Sequence, residues 1–263
     1  MMSKRFTPRY GGRLLDAVRD GLGLIEVVER GDIRSLHFGN SIEQSSYVPD
    51  APDWLQFGYY RKLMFATALH INPVRVLLLG LGAGVIARYL LSHLHPLRLT
   101  AVEYREAVAD MAYSYFGLPQ DSRLDVYIAT AGQFLEEFER EWDVIIVDLY
   151  DAEGLNEEPR QRRFLDACCN RLAAHGVVAI NLWRSDPDEY VFMLRQLRQV
   201  FADRILLADA DDANTVAYCF HDEVPDLASE LLLARIRERA AVLNFDGSDF
   251  LDRIHHPDGR QKN

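Results

Sequence analysis

The chain has 263 residues, of which 49% are hydrophobic and 26% are charged, a composition typical of a globular protein with a substantial core. Its formal net charge of −11 argues against nucleic acid as a partner, because surfaces that bind nucleic acid are usually basic. No segment approaches the roughly 20 consecutive apolar residues of a membrane span, and the N-terminal residues lack the apolar stretch of a signal peptide. We therefore expect a cytoplasmic protein that binds no membrane.

The N-terminal quarter is predicted to contain β structure and one helix. Segments rich in β-branched and aromatic residues flank a turn at residues 30–32, which predicts a hairpin. Residues 38–54 are polar and contain prolines, so we predict a loop there. Residues 55–70 have the apolar spacing of a helix. We assign residues 1–70 to a small N-terminal β-hairpin domain with a linking helix.

Strand and helix patterns alternate through the next part of the chain. Continuous apolar runs predict strands at residues 74–80, 97–103, 124–129, 142–148 and 177–183. Helical spacing predicts helices at residues 83–94, 105–117, 132–141, 159–176 and 186–201. This alternation predicts βαβ units, and hence an α/β fold with a doubly wound, mostly parallel sheet within residues 71–263.

The C-terminal part departs from strict alternation. Residues 204–220 form two apolar segments around an Asp- and Asn-rich turn, which predicts a hairpin. A parallel sheet that ends in a hairpin has one antiparallel strand near its edge, as in class I S-adenosylmethionine-dependent methyltransferases. Residues 226–243 are predicted to form an amphipathic closing helix, and residues 255–263 are predicted to be disordered.

A glycine loop, GLGAG, lies between the first strand and the first helix of this sheet. Gly80, Gly82 and Gly84 permit a tight turn and a close approach of ligand to backbone. Glu103 ends the next strand, where a carboxylate can accept both hydroxyls of a ribose. The pattern indicates an adenosine-type ligand; the alternative is a packing turn and a surface glutamate. Because Val85 breaks the dinucleotide spacing G-x-G-x-x-G, S-adenosylmethionine or a relative is favoured over a nicotinamide nucleotide.

Two carboxylates follow the strand at residues 142–148. Asp148 ends the strand and Asp151 lies three residues later. They could bind a cationic substrate, or Asp148 could close the strand while Asp151 and Glu153 cap the following helix. A metal site is the least favoured reading, because the histidines lie far away in the sequence and the cysteines form no CxxC pair. We predict no metal.

Three motifs give the chain a family resemblance. SLHFGNSIEQSS, GLGAG and YDAEGL resemble segments of the spermidine synthase (polyamine aminopropyltransferase) family, and most closely those of a bacterial spermidine-synthase-like subgroup. The resemblance covers about residues 20–220. It implies a small N-terminal β domain on a methyltransferase-like sheet, a homodimer, and aminopropyl transfer from decarboxylated S-adenosylmethionine to an amine.

The resemblance also implies roles for individual residues. Asp148 matches the family's catalytic acid and Asp151 its polyamine-binding acid, while Gln44 and, more loosely, Tyr59 match residues of the substrate site. The donor-binding positions would be Gly80, Gly82, Ala83, Gly84, Glu103, Thr130 and Ala131.

Two positions depart from the family pattern. Ala83 replaces an acid that holds the aminopropyl amine, and Thr130 replaces the aspartate that binds the adenine amino group.

Three hypotheses therefore remain. The first is a transferase that uses S-adenosylmethionine or its decarboxylated form on an amine or small cationic acceptor. The second is a small-molecule methyltransferase, which Ala83 favours. The third is a non-catalytic sensor or interaction protein.

Overall fold

Two β-sheets form the framework of the computed structural model, which describes residues 8–151, 154–210 and 213–258. The strands are β1 (Pro8–Arg9), β2 (Gly12–Asp20), β3 (Gly23–Arg30), β4 (Ile33–His37), β5 (Glu43–Tyr47), β6 (Arg75–Leu79), β7 (Arg98–Glu103), β8 (Leu124–Ile128), β9 (Trp142–Val147), β10 (Leu172–Trp183), β11 (Ile205–Asp209), β12 (Asn214–Phe220) and β13 (Ile254–His255). The helices are α1 (Gly58–Leu69), α2 (Val85–His93), α3 (Glu106–Tyr115), α4 (Ala131–Glu137), α5 (Glu157–Arg160), α6 (Arg162–Asn170), α7 (Pro187–Phe201), α8 (Glu230–Val242) and α9 (Gly247–Arg253).

The N-terminal sheet is an antiparallel meander in the order β1-β2-β3-β4-β5. The hairpin predicted around residues 30–32 is confirmed, with Arg30 paired to Ile33. The loop predicted over residues 38–54 is wrong at Glu43–Tyr47, which pairs with β4 as strand β5. A polar strand forms there because its inner serines are hydrogen-bonded; Ser46 Oγ, for example, donates to the Glu43 carboxylate at 3.0 Å.

The larger sheet has the order β13-β11-β12-β10-β9-β6-β7-β8. Strands β10, β9, β6, β7 and β8 are mutually parallel, whereas β12 runs antiparallel to both β10 and β11. The predicted doubly wound, mostly parallel sheet and its terminal hairpin are confirmed. Because β6 lies between β9 and β7, the chain reverses its winding at β6, and a crevice opens beyond the carboxyl ends of these strands.

Two predicted boundaries were wrong. The helix predicted over residues 159–176 is interrupted at the extended residue Gln161 and ends at Asn170. Leu172 is buried and pairs with Trp142 of β9, so this segment becomes the start of β10. The tail predicted to be disordered begins in strand β13, where His255 pairs with Leu207. Residues 259–263 lie outside the described residues.

Apolar side chains cover both faces of the larger sheet. One face packs against α1, α2, α3, α8 and α9, and the other against α4, α6 and α7. Cys168 and Cys219 are buried and Cys169 is half-buried, each as a free thiol. None of the helices in the described part of the chain has both the length and the apolar character of a membrane span. The division at residue 70 remains a proposal, and α1 packs mainly against α8 and the larger sheet.

Candidate functional site

A cavity of about 370 Å3 lies in the crevice beyond the carboxyl ends of β6, β7, β8 and β9. Of the residues predicted from the sequence, those that line it are Gln44, Tyr59, Gly80, Gly82, Glu103, Thr130, Ala131 and Asp148. The topology explains most of this convergence, because residues 80–82, 103, 129–131 and 148 lie at the carboxyl ends of parallel strands that meet at one edge of the larger sheet. Gln44 reaches the cavity from β5 of the N-terminal sheet, and Tyr59 reaches it from α1. Ala83, Gly84 and Asp151 are not part of the lining.

The glycine loop brings two neighbouring strand ends into contact. Gly80 has φ +95°, and a Cβ there would lie only 2.2 Å from the Asp148 carbonyl oxygen. Glycine is therefore required for β6 and β9 to approach each other at the cavity. Gly84 instead precedes the first residue of α2 and packs against Leu118. Ala83 is buried, and its N–H donates to Ser45 Oγ at 3.4 Å.

Glu103 is a buried carboxylate at the end of β7. Its Oε2 accepts from the Gly82 N–H at 3.2 Å, and its Oε1 accepts from the Arg105 N–H at 3.1 Å. Burial raises the pKa of Glu103 despite these bonds. The backbone amides fix the orientation of the carboxylate, and its remaining lone pair can accept from a ligand hydroxyl.

Asp148 is the second carboxylate of the cavity. It is partly exposed through the cavity, but the surrounding protein excludes enough water that burial raises its pKa to about 6. Its Oδ1 accepts from Asn181 Nδ2 at 3.0 Å and its Oδ2 accepts from the Tyr59 hydroxyl at 3.4 Å. Both bonds favour the ionised form and oppose the effect of burial.

A buried amide pair behind Asp148 was not predicted from the sequence. Asn181 of β10 accepts on Oδ1 from Asn214 Nδ2 of β12 at 2.7 Å. This bond leaves the Asn181 amide nitrogen to face Asp148. Both asparagines are buried, and buried amides in strands that are otherwise apolar were the available signal.

Asp151 lies at the edge of the site rather than in its lining. Its N–H donates to the Gly154 carbonyl at 2.9 Å. Burial raises the pKa of Tyr104, and the charges of Glu103 and then Asp151 add to that effect. The predicted alternative, a helix cap by Asp151 and Glu153, is wrong for Asp151, because Asn156 Oδ1 caps α5 by accepting from the Glu158 N–H at 3.0 Å. Glu153 lies outside the described residues.

The far end of the cavity is formed by the start of α4. Thr130 Oγ1 accepts from the Gln133 N–H at 3.3 Å, and Gln133 Oε1 accepts from the Thr130 N–H at 3.4 Å. A third carboxylate, Glu158, accepts from the N–H groups of Ala131 at 3.2 Å and Gly132 at 3.0 Å. Glu158 lines the cavity but was not singled out from the sequence, because it lies 28 positions from Thr130 and on another segment.

The N-terminal sheet closes one side of the cavity. Leu22, at the β2–β3 turn, and Phe38 both line it. The Arg105 guanidinium donates to both oxygens of Asp20 at 2.9 Å and lies 4.8 Å from the centre of the Phe38 ring. This contact fixes the turn over the larger sheet. Among the described residues, no cluster of three or more side chains has the composition of a metal site.

The chain is similar to proteins of known family and known structure. Residues 56–205 match the model of the spermine/spermidine synthase domain. A polyamine aminopropyltransferase of Neisseria meningitidis is 31% identical over 92% of this chain and 92% of its own length. A solved spermidine synthase, in complex with the transition-state analogue AdoDATO, superposes with a TM-score of 0.76 at 20% identity, over 94% of this chain and 86% of that one. Human methyltransferase-like protein 13, solved with SAH, superposes with a TM-score of 0.65 at 22% identity, over 72% of this chain and 93% of that one. At these identities the two structures establish the fold.

Proposed function

This chain belongs to the spermine/spermidine synthase family and is a spermidine-synthase-like transferase. From that premise we propose that it moves an aminopropyl group from decarboxylated S-adenosylmethionine to an amine of a small cationic acceptor. The observation that carries the proposal is the position of Asp148. A carboxylate with a pKa of about 6 lies beside the glycine loop, in the same cavity as a carboxylate suited to a ribose.

The donor nucleoside would lie along the ends of β6, β7 and β8. Glu103 would accept a hydrogen bond from the ribose, since its oxygens are already oriented by backbone amides. Gly80 and Gly82 would allow the sulfur-bearing chain to pass close to the backbone. Thr130 and Ala131 would border the adenine, because they line the end of the cavity beyond β8.

The acceptor amine would approach the donor from the side of Asp148. An aliphatic amine is protonated at neutral pH and becomes nucleophilic only after it loses that proton. Asp148 would be mostly ionised at pH 7, since its pKa is about 6, and would accept the proton or orient the lone pair. The amine nitrogen then forms a bond to the carbon next to the sulfonium, and the electrons of the broken C–S bond remain on sulfur as a neutral thioether.

Two neighbouring groups would support this step. The Tyr59 hydroxyl, 3.4 Å from Asp148 Oδ2, would orient the carboxylate, and burial keeps the pKa of this phenol far above neutrality, so it remains a donor. Asp151 would attract the second ammonium of a diamine from the edge of the site, and Gln44 would contact the same substrate from strand β5. The catalytic gain would come mainly from alignment of the two substrates.

Methyl transfer from S-adenosylmethionine is the second candidate. Ala83 favours it, because a buried alanine stands in the glycine loop where an aminopropyl donor would benefit from a nearby acid. Incubation with putrescine and each donor in turn, followed by mass spectrometry, separates the candidates. Spermidine from the decarboxylated donor supports the proposal, and a methylated amine from S-adenosylmethionine supports the alternative. If neither product forms, and cells that carry Asp148→Asn have the same phenotype as cells that carry the wild type, the non-catalytic hypothesis is favoured.

We further propose a homodimer in the cytoplasm. Both expectations come from the family resemblance and from the composition of the chain. Sedimentation velocity of the purified protein tests the first, and cell fractionation tests the second.

A further inference from the structure

We propose that Glu158 determines which base the bound nucleoside carries, by accepting a hydrogen bond from the exocyclic amine of a 6-aminopurine. This inference rests on the proposed nucleoside site and adds a specificity residue to it. Glu158 lies on α5, on a segment separate from the glycine loop and from both strands whose ends hold Glu103 and Asp148. It nevertheless lines the same cavity, at the end formed by residues 129–131.

The local structure is arranged to hold this carboxylate in place. Its two oxygens accept from the consecutive amides of Ala131 and Gly132 at 3.2 and 3.0 Å. The backbone of Glu158 is fixed in turn, because its N–H donates to the side chain of Asn156. Hydrogen bonds therefore hold both the carboxylate and the backbone of Glu158.

Gly132 lies directly against this carboxylate. A Cβ at position 132 would lie 2.7 Å from Glu158 Oε1, so any larger residue would displace the carboxylate. Gly132 lies in the first turn of α4 and does not have a positive φ. The close approach of Glu158 gives a reason for glycine at this position of the helix.

The chemistry of the carboxylate selects the ligand. An ionised carboxylate accepts hydrogen bonds and cannot donate them. The two amides use one acceptor position on each oxygen and leave the others for the cavity. The neighbouring Thr130 hydroxyl already accepts from the Gln133 N–H. A base with a donor at the purine 6-position is therefore complementary to this end of the site, whereas a 6-oxo purine would place an acceptor against a negative charge.

Binding of two nucleosides that differ only at this position tests the proposal. Isothermal titration of the full chain with 5′-methylthioadenosine and with 5′-methylthioinosine gives the ratio of their dissociation constants. The wild type is expected to prefer the adenosine form by about tenfold or more, as for a hydrogen bond to a charged group. Glu158→Ala should reduce that ratio to near one. Glu157→Ala is the matched control, because Glu157 is 79% exposed and pairs with Arg160, and it should leave the ratio unchanged.

A purely structural role for Glu158 predicts a different result. Loss of the two hydrogen bonds from Ala131 and Gly132 to Glu158 would then lower the melting temperature and weaken the binding of both nucleosides equally. The ratio of their dissociation constants would be retained, and this outcome would overturn the proposal. If Glu158→Ala does not fold, Glu158→Gln decides the matter, since an amide can donate to a 6-oxo group and should shift the preference toward the inosine form. Wild-type protein that binds both nucleosides equally also overturns the inference but leaves the proposed function intact. Folded wild-type protein that binds neither nucleoside removes both.

Discussion

Removal of the Asn181 side chain should move the pH dependence of the reaction to higher pH. In the wild type, burial raises the pKa of Asp148 to about 6 while the Asn181 amide lowers it. A hydrogen bond to a charged group contributes roughly 1.5–3 kcal/mol, and one pKa unit corresponds to about 1.4 kcal/mol. Asn181→Ala should therefore raise the pKa of Asp148 by about one unit or more.

The consequence for activity follows from the fraction of Asp148 that is ionised. At pH 6.5 this fraction would fall by about threefold if the pKa rose from about 6 to about 7, while at pH 9 it would be nearly complete in both proteins. Turnover at saturating donor and acceptor, measured from pH 5.5 to 9, should show the acid limb shifted upward in the variant.

A matched control comes from the neighbouring strand. Thr215→Val removes a buried hydroxyl that donates to Asp209 Oδ1 at 2.7 Å. Neither residue lines the cavity, so this variant should leave the pH profile unchanged. If Asn181→Ala lowers turnover by the same factor at every pH, then the amide does not set the ionisation of Asp148, and the reasoning is refuted.

Three further predictions follow from the same site. Asp148→Asn should abolish turnover and stabilise the fold by up to about 3 kcal/mol at pH 8. The pKa of Asp148 is about 6 in the folded protein and lower in the unfolded chain, so the ionised carboxylate destabilises the wild type increasingly as the pH rises between these two values. Urea unfolding of both proteins at pH 4 and 8 measures the difference. Gly80→Ala should unfold the glycine loop or lower the free energy of unfolding by at least about 2 kcal/mol, because the added Cβ would clash with the Asp148 carbonyl. Gly21→Ala is the control: no atom lies near the added Cβ, so its melting temperature should stay unchanged. Arg105→Ala should release the turn bearing Asp20 and raise the KM for the donor several-fold, with a smaller effect on kcat.

Each of these has a clear contrary outcome. Equal stability of wild type and Asp148→Asn at pH 8 would show that the carboxylate is well solvated. A Gly80→Ala variant with normal melting and turnover would show that β6 and β9 need not approach so closely. Unchanged kinetics in Arg105→Ala would show that the N-terminal turn does not contribute to the cavity.

The elements that could be predicted are those whose periodicity is visible locally. β6 and β9 are continuous apolar runs because both faces of the sheet are covered, and the glycine loop and its flanking acids follow directly from them. Strand β5 was missed because its burial depends on serine hydrogen bonds rather than on apolar side chains. The first part of β10 was missed because Leu172 becomes a strand residue only through its pairing with Trp142.

The candidate site divides in the same way. Glu103 and Asp148 were predicted because each ends a recognisable strand, and the topology then brings them together. Asn181 and Asn214 could not be assigned, because their roles depend on contacts with each other and with Asp148 across more than 30 positions of the chain. Glu158 likewise acquires its role only from the amides of α4. Contacts between distant segments decide these roles; the asparagines stand out locally only as amides within otherwise apolar strands, which does not reveal what they contact.

The most direct test of the central claim is a single-turnover experiment with decarboxylated S-adenosylmethionine and a diamine, in wild type and Asp148→Asn. The wild type should form the aminopropylated amine and methylthioadenosine in equal amounts. The variant should bind methylthioadenosine with similar affinity but form no product. Product formation by the variant at the wild-type rate, or none by folded wild type that binds the donor, would contradict the assignment of this cavity to aminopropyl transfer.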